Sequence, residues 1–356
     1  MNKREFLKTT LLGGTAAALM PLTTSAKKYG DEVKKKGKPK HWVWVNPDEK
    51  ESDIDLEQRF SKWKGSGIVG VLFEEFSERH FARAKAAGLE AHRWMWTMNR
   101  GEKELLAAHP EWYSVSREGK SCATEPPYVG YYRFLCPSRQ EVRTYLADKA
   151  EEQLSKKLVD GLHLDYIRFV DVILPVNLWE NYKLDQSREL PAFDFCYCEV
   201  CKSKFKKETG QDIDQIVHPD QSLSWRNFRY RQITEVVNGL SLIAKKHKKP
   251  ISAAVFPTPE VAKRIVRQDW CNWELNAIYP MIYHGFYKET IGWIGDAVKE
   301  GVNGLHGKFP LYAGLYLPDF KNPEEFGDAV KLALKNGAGG ISIFGNPSDE
   351  ILEQLG

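Results

Sequence analysis

From His41 onward, short apolar runs alternate with longer stretches whose apolar residues recur at helical spacing. The runs are His41–Asn46, Ile68–Phe73, Glu90–Thr97, Gly161–Phe169, Pro250–Phe256, Ala277–Tyr283, Pro310–Leu317 and Gly339–Phe344. Strand–helix alternation of this kind predicts a parallel sheet with helices packed outside it. Eight strands in strict alternation predict an α/β fold, a single (β/α)8 TIM barrel over residues 41–356, rather than an open sheet. Local signals agree. Ser138-Arg139-Gln140-Glu141 reads as a capping box opening a helix that runs to about Leu158. Asn322-Pro323-Glu324-Glu325 opens another, closed by Gly337.

Two connections are too long to be turns. They run from about Met98 to Phe134 and from Val170 to about Leu223, after the third and fourth strands. Such βα loops build the active face of a barrel. Both are rich in Trp, Tyr, Pro and Cys, which predicts ordered structure.

Outside the barrel, residues 1–26 read as a targeting segment: Lys3, Arg4 and Lys8, then the apolar, small-residue stretch Thr9–Leu22, then Thr24-Ser25-Ala26 as a cleavage site. Lys3-Arg4-Glu5-Phe6-Leu7-Lys8 resembles a twin-arginine signal with Lys in the first position, so an exported, periplasmic or secreted protein is expected. Residues 27–40 form a basic linker. The whole chain carries a net charge of +3, part of it in the leader, which leaves the remainder near neutral. That balance supplies no basic stripe for nucleic acid, and no apolar tract after the leader is long enough to cross a membrane.

The most informative run is Gly161-Leu162-His163-Leu164-Asp165-Tyr166-Ile167-Arg168-Phe169. Strand alternation predicts His163, Asp165 and Ile167 on one face and Leu162, Leu164 and Tyr166 on the other. A carboxylate within an apolar strand is costly unless paired or functional, and near the C-terminal end of a barrel strand it reads as catalytic. The alternative role for Asp165 is a buried ion pair with Arg168. Glycoside cleavage uses two carboxyl groups. Glu74 and Glu75, ending the second strand, are candidate partners, and Asp171, Asp194, Asp269 and Glu274 are others.

Asp160-Gly161-Leu162-His163 followed by Asp165-Tyr166-Ile167-Arg168 resembles a strand of the glycosyl-hydrolase-like family 10 proteins. Further matches in the same order are His109-Pro110-Glu111-Trp112-Tyr113, Leu135-Cys136-Pro137-Ser138, Trp225-Arg226-Asn227, Gln268-Asp269-Trp270-Cys271-Asn272-Trp273 and Tyr279-Pro280-Met281-Ile282-Tyr283. The resemblance covers most of residues 41–345 and implies a (β/α)8 barrel and sugar chemistry, hence a carbohydrate substrate.

Cys196-Tyr197-Cys198-Glu199-Val200-Cys201 is a C-x-C-x-x-C cluster. Thiolates this close suit a tetrahedral soft-metal site, so a structural zinc is expected, with Cys136 as fourth ligand and Cys122 as its rival. The arrangement is similar to that of zinc-containing barrel β-galactosidases. Disulfides are the alternative, since exported chains commonly carry them.

The remaining candidates are counted from strand ends: Trp44 and Asn46 on strand one, Trp94 and Trp96 on strand three, His163, Tyr166 and Arg168 on strand four, Tyr283 and His284 after strand six, and Asn346 after strand eight. The 11 tryptophans favour sugar rings as ligands, because flat aromatic faces stack on them. The expected activity is hydrolysis of a poly- or oligosaccharide. A non-catalytic carbohydrate-binding barrel and a metal-dependent enzyme such as a deacetylase are the other readings. Walker, G-x-G-x-x-G and G-x-S-x-G motifs are absent, so nucleotide and serine-hydrolase chemistry lack support.

Overall fold

A computed structural model describes residues 37–355. The leader and most of the basic linker lie outside them. Eight parallel strands follow one another: β1 His41–Val45, β2 Ile68–Phe73, β3 Glu90–Trp96, β4 Gly161–Asp165, β5 Ile251–Val255, β6 Ala277–Pro280, β7 Tyr312–Tyr316 and β8 Gly340–Phe344. Their order is β6-β5-β4-β3-β2-β1-β8-β7. The parallel bridges Ile278–Leu311 and Met281–Gly314 join β6 to β7, which brings the ends of the sheet together into the expected (β/α)8 barrel.

The two faces of each strand have different tasks. One face packs with the surrounding helices into the main core, where Val43, Val71, Ala91, Leu162, Leu164, Ala253, Ile278, Ala313 and Ile341 are buried. The other fills the barrel interior with rings instead of the branched aliphatics usual there: Trp42, Trp44, Trp94, Tyr279 and Tyr312. Two glycines make the room. A Cβ at Gly70 would collide with the Trp42 ring, and one at Gly161 with the His92 ring.

Helix starts follow local chemistry. Ser77, Thr258 and Asn322 accept hydrogen bonds from the third residue on, satisfying otherwise free N–H groups. The capping box at Ser138 does not form. The helix spans Gln140–Ser155 with Arg139 at its cap and no side-chain cap bond. The Ser138 hydroxyl lies instead 3.2 Å from Cys201 Sγ.

The long connections are ordered, as their composition predicts. After β3 the chain forms a short helix, Lys103–Ala108, and a small antiparallel ladder with Asn99–Phe134, Tyr113–Leu135 and Val115–Ser121 bridges. After β4, residues 166–198 fold over the mouth and lead into the helices Glu199–Thr209 and Leu223–Lys246. A Ser116–Phe195 bridge ties the two loops together. Buried Asp194 anchors the second loop, accepting from Tyr197 Oη at 2.6 Å and pairing with Arg229 of the long helix.

Candidate active site

The strand that carries Asp165 is shorter than its apolar run suggests. β4 stops at Asp165, and Tyr166 adopts a left-handed backbone with φ 48°. Non-glycine residues in that region are strained and cluster at functional sites. The turn corrects the expected alternation. Tyr166 swings toward the barrel mouth and Ile167 into the outer core, the reverse of an extended strand. It also aims the Tyr166 N–H at Asp165 Oδ1, 2.6 Å away. Trp94 Nε1 donates to Oδ2 at 2.9 Å. Burial raises the Asp165 carboxyl above the usual carboxylate range, and these two donors and Arg168 work against the shift.

Asp165 faces a cavity of about 490 Å³ at the C-terminal ends of the strands. Its floor and walls include Trp44, Asn46, Trp94, Trp96, Tyr166, Ala254, Tyr283 and Phe344, with Tyr132, Leu178, Phe286 and Tyr287 from the loops. Glu74 lines the same cavity. Its carboxyl is also raised, first by burial, then by the negative charge of Asp165, then by Glu75, against the pull of Arg93 and the Trp96 indole. Asp171 lines this desolvated pocket too but is held by Arg168, which leaves Asp165 and Glu74 as its two uncommitted carboxyl groups. Asp165 has two fixed donors supporting its anion, and Glu74 feels that anion, an arrangement that separates their titrations.

Arg168 does not pair with Asp165. Its guanidinium donates to Asp171 Oδ2 at 2.6 Å and sits 5.1–5.7 Å from the rings of Tyr132, Phe134, Tyr166 and Phe256. Burial opposes its charge, and Asp171 together with Tyr132 and Tyr166 outweighs it. The pocket's cation is therefore already neutralised, and Asp165 is left without a buried ion partner.

Other expected residues lie elsewhere. Glu75 is exposed and does not line the pocket. His163 lies one layer below the floor. Its Nε2 accepts from Trp44 Nε1 at 3.0 Å, so its proton is on Nδ1, which donates to Ser252 Oγ at 2.9 Å. Burial holds it well below its usual pKa, so it is a neutral post under Trp44. His284 is buried in the turn after β6 with Nδ1 3.8 Å from Asp319 Oδ2, and Asn346 is exposed outside the cavity. Of the further carboxylates, Asp194 is consumed by Arg229 and Tyr197, Asp269 pairs with Lys263 at 2.8 Å, and Glu274 is exposed away from the mouth. Tyr132, Leu178, Phe286 and Tyr287 were not among the expected lining. The aromatic doublet Tyr131-Tyr132 in the first long loop, and the Tyr283–Tyr287 spacing after β6, are the signals that point to two of them.

The sulfur cluster is separate from this pocket. Cys136, Cys196, Cys198 and Cys201 are all buried, and their Sγ atoms lie within 4.8 Å of one another. Cys136 Sγ is 3.5 Å from both Cys198 and Cys201 Sγ. Four sulfurs about 2.3 Å from one tetrahedral ion would stand ~3.8 Å apart, so the set fits such an ion. All six cysteines are free thiols, and Cys122 is outside the group. Hydrogen bonds from Cys136, Cys196 and Cys201 hold the Cys198 thiol far below its usual pKa. The Val115 N–H also points at Cys196 Sγ, 3.4 Å away. The cluster joins the end of the first long loop to the second.

The Trp94 bond predicts a pH effect. Trp94→Phe keeps the ring and removes a donor that favours ionised Asp165, so the Asp165 pKa rises further. If the anion is the working form, the acidic limb of the kcat/KM profile moves to higher pH by about one unit. An unmoved limb would sever Trp94 from Asp165 titration.

No protein-family profile and no curated protein sequence matches the chain. Solved structures do. The PgaB (BpsB) glycoside hydrolase domain from Bordetella bronchiseptica superposes with a TM-score of 0.62 at 12% identity, over 88% of this chain and 95% of that one. A β-galactosidase from the psychrophilic Marinomonas ef1 gives 0.58 at 12% identity, over 85% of this chain and 53% of that one. A catalytic mutant of Gan42B, a GH42 β-galactosidase from G. stearothermophilus, gives 0.58 at 13% identity, over 86% and 50%. The chain thus spans about half the length of the two galactosidases. At these identities the likeness shows the (β/α)8 fold.

Proposed function

We propose that the chain is a glycoside hydrolase, exported by its N-terminal segment, with Asp165 and Glu74 as the catalytic pair. One observation carries the reading: two desolvated carboxyls without an ion pair face a single aromatic-walled pocket at the C-terminal mouth of a barrel, the third, Asp171, being held by Arg168. Asp165, held by Tyr166 N–H and Trp94 Nε1, is the carboxylate that acts as nucleophile or base. Glu74, raised by burial and by Asp165, is the acid that protonates the leaving oxygen. Trp44, Trp94, Trp96 and Tyr283 offer ring faces to a sugar. Solved neighbours with this fold include glycoside hydrolases, which fits the reading; fold by itself does not fix chemistry.

By the chemistry of the donors, the ion that Cys136, Cys196, Cys198 and Cys201 would hold is zinc. Four thiolates close its coordination, so its contribution is to pin the two long loops. No cysteine lines the pocket, which disfavours a reaction carried out on that ion.

An assignment of Glu74 as acid has a specific signature. Glu74→Gln should lower kcat/KM on natural glycosides by ~10²–10³-fold. Aryl glycosides with acidic phenol leaving groups need no protonation and should lose far less. Equal loss on both would rule out the acid role.

A further inference from the structure

The opposite end of the barrel carries a cluster the site does not use. In this fold the loops leading into the strands share the N-terminal face. The end of the Leu223–Lys246 helix and the loop from it to β5 read Lys245-Lys246-His247-Lys248-Lys249. Lys249 Nζ donates to Leu154 O at 2.7 Å and Lys156 O at 2.8 Å, which sets this run beside the loop before β4. Nearby acids are largely occupied: Glu151 by Lys246 and His247, Glu152 by Lys156, and Asp160 by Lys85. Lys245 and Lys248 are exposed and have no carboxylate partner among the described residues. With Lys249 they line a cavity of about 520 Å³ whose one acid is Glu274.

Two further observations point to the partner. Leu242, three residues before Lys245 and on the same side of its helix, is 69% exposed. An exposed leucine among lysines is the pattern of a surface that lies on lipid headgroups. The chain also enters the barrel at this end, through Lys38 and Lys40.

We propose that this face docks on an anionic phospholipid surface, with Lys245 and Lys248 meeting lipid phosphates and Leu242 entering the headgroup layer. Docked this way, the pocket at the other end of the barrel faces away from the bilayer.

The test is sedimentation of the full chain with vesicles of phosphatidylcholine alone, or mixed with phosphatidylglycerol, at low and high salt. The wild type should bind the mixed vesicles at low salt, release in high salt and bind neutral vesicles far less. Lys245→Glu/Lys248→Glu should lower partitioning more than ~25-fold, at about fivefold per lysine removed. Leu242→Ser, which touches no ion pair, should lower it several-fold, with melting curves confirming that each variant folds. Equal, salt-insensitive binding to both vesicle types overturns the proposal. So does wild-type-like binding by both variants, or binding to heparin or DNA without binding to phosphatidylglycerol.

Discussion

Asp165→Asn is expected to lower kcat on a cleavable glycoside by ~10³-fold or more, because the variant loses its nucleophile or base while keeping the shape of the pocket. The loss should not come from unfolding. Asp165 ends β4 with its backbone fixed by the Tyr166 turn, and neither Arg168 nor another buried cation depends on its charge. Its pKa is raised by burial, so the folded chain holds the proton more tightly than the unfolded chain does. The sign follows directly. That contribution is fully present below the unfolded value of ~3.9 and is lost as pH rises through the higher folded value. The variant lacks it, so its melting temperature relative to wild type should improve as pH rises from about 3 to 7. Activity lost while relative stability improves is the mark of a residue kept for chemistry. A variant that melts much lower at every pH would instead make Asp165 a structural residue.

The second large effect concerns the sulfur cluster. Purified chain should contain close to one zinc, and Cys198→Ser should lose most of it. Breaking the site removes the link between Cys136 in the first long loop and Cys196, Cys198 and Cys201 in the second. A cost of about 3 kcal/mol, modest against the apparent binding energies of structural zinc, corresponds in a barrel of this size to a melting temperature lower by about 4–5 °C. Because both loops wall the pocket through Tyr132, Arg168 and Leu178, turnover should fall with the loss of order. A strong chelator should reproduce the effect slowly, as the buried ion escapes. Metal-free protein with an unchanged melting curve would mean that the four cysteines are only packed thiols.

Most of the barrel could be read from the chain because each strand repeats one rule. The helix-facing side is apolar, and apolar runs bounded by turns mark it. The reading failed where a single backbone angle overrides the rule. Nothing in Asp165-Tyr166-Ile167 announces a left-handed tyrosine, so β4 ends four residues before its apolar run does and Tyr166 changes sides. The Ser138 box failed for a related reason: a tertiary partner, Cys201, takes the hydroxyl from the helix end. Asp165 and the four clustered cysteines were visible because polar or thiol residues in those settings demand an explanation. Position settles Glu74 over Glu75 as the pocket-facing candidate: Glu74 lines the cavity, and Glu75 is exposed. The lining from Leu178 and Phe286 was out of reach, since Val176–Leu178 meets His284–Tyr287 through a long-range loop contact. His163 lies one layer below the floor and His284 in the turn after β6, and each is claimed by a neighbour, Trp44 for one and the Asp319 turn for the other.

The most direct test of the account is reducing-sugar release from a broad panel of polysaccharides, oligosaccharides and aryl glycosides, comparing wild type with Asp165→Asn and Glu74→Gln at matched folding. The account predicts that wild type cleaves at least one class, that both variants lose that activity by orders of magnitude, and that Glu74→Gln alone keeps substantial rates on the best aryl leaving groups. Full cleavage by Asp165→Asn on the substrate wild type cleaves would contradict it.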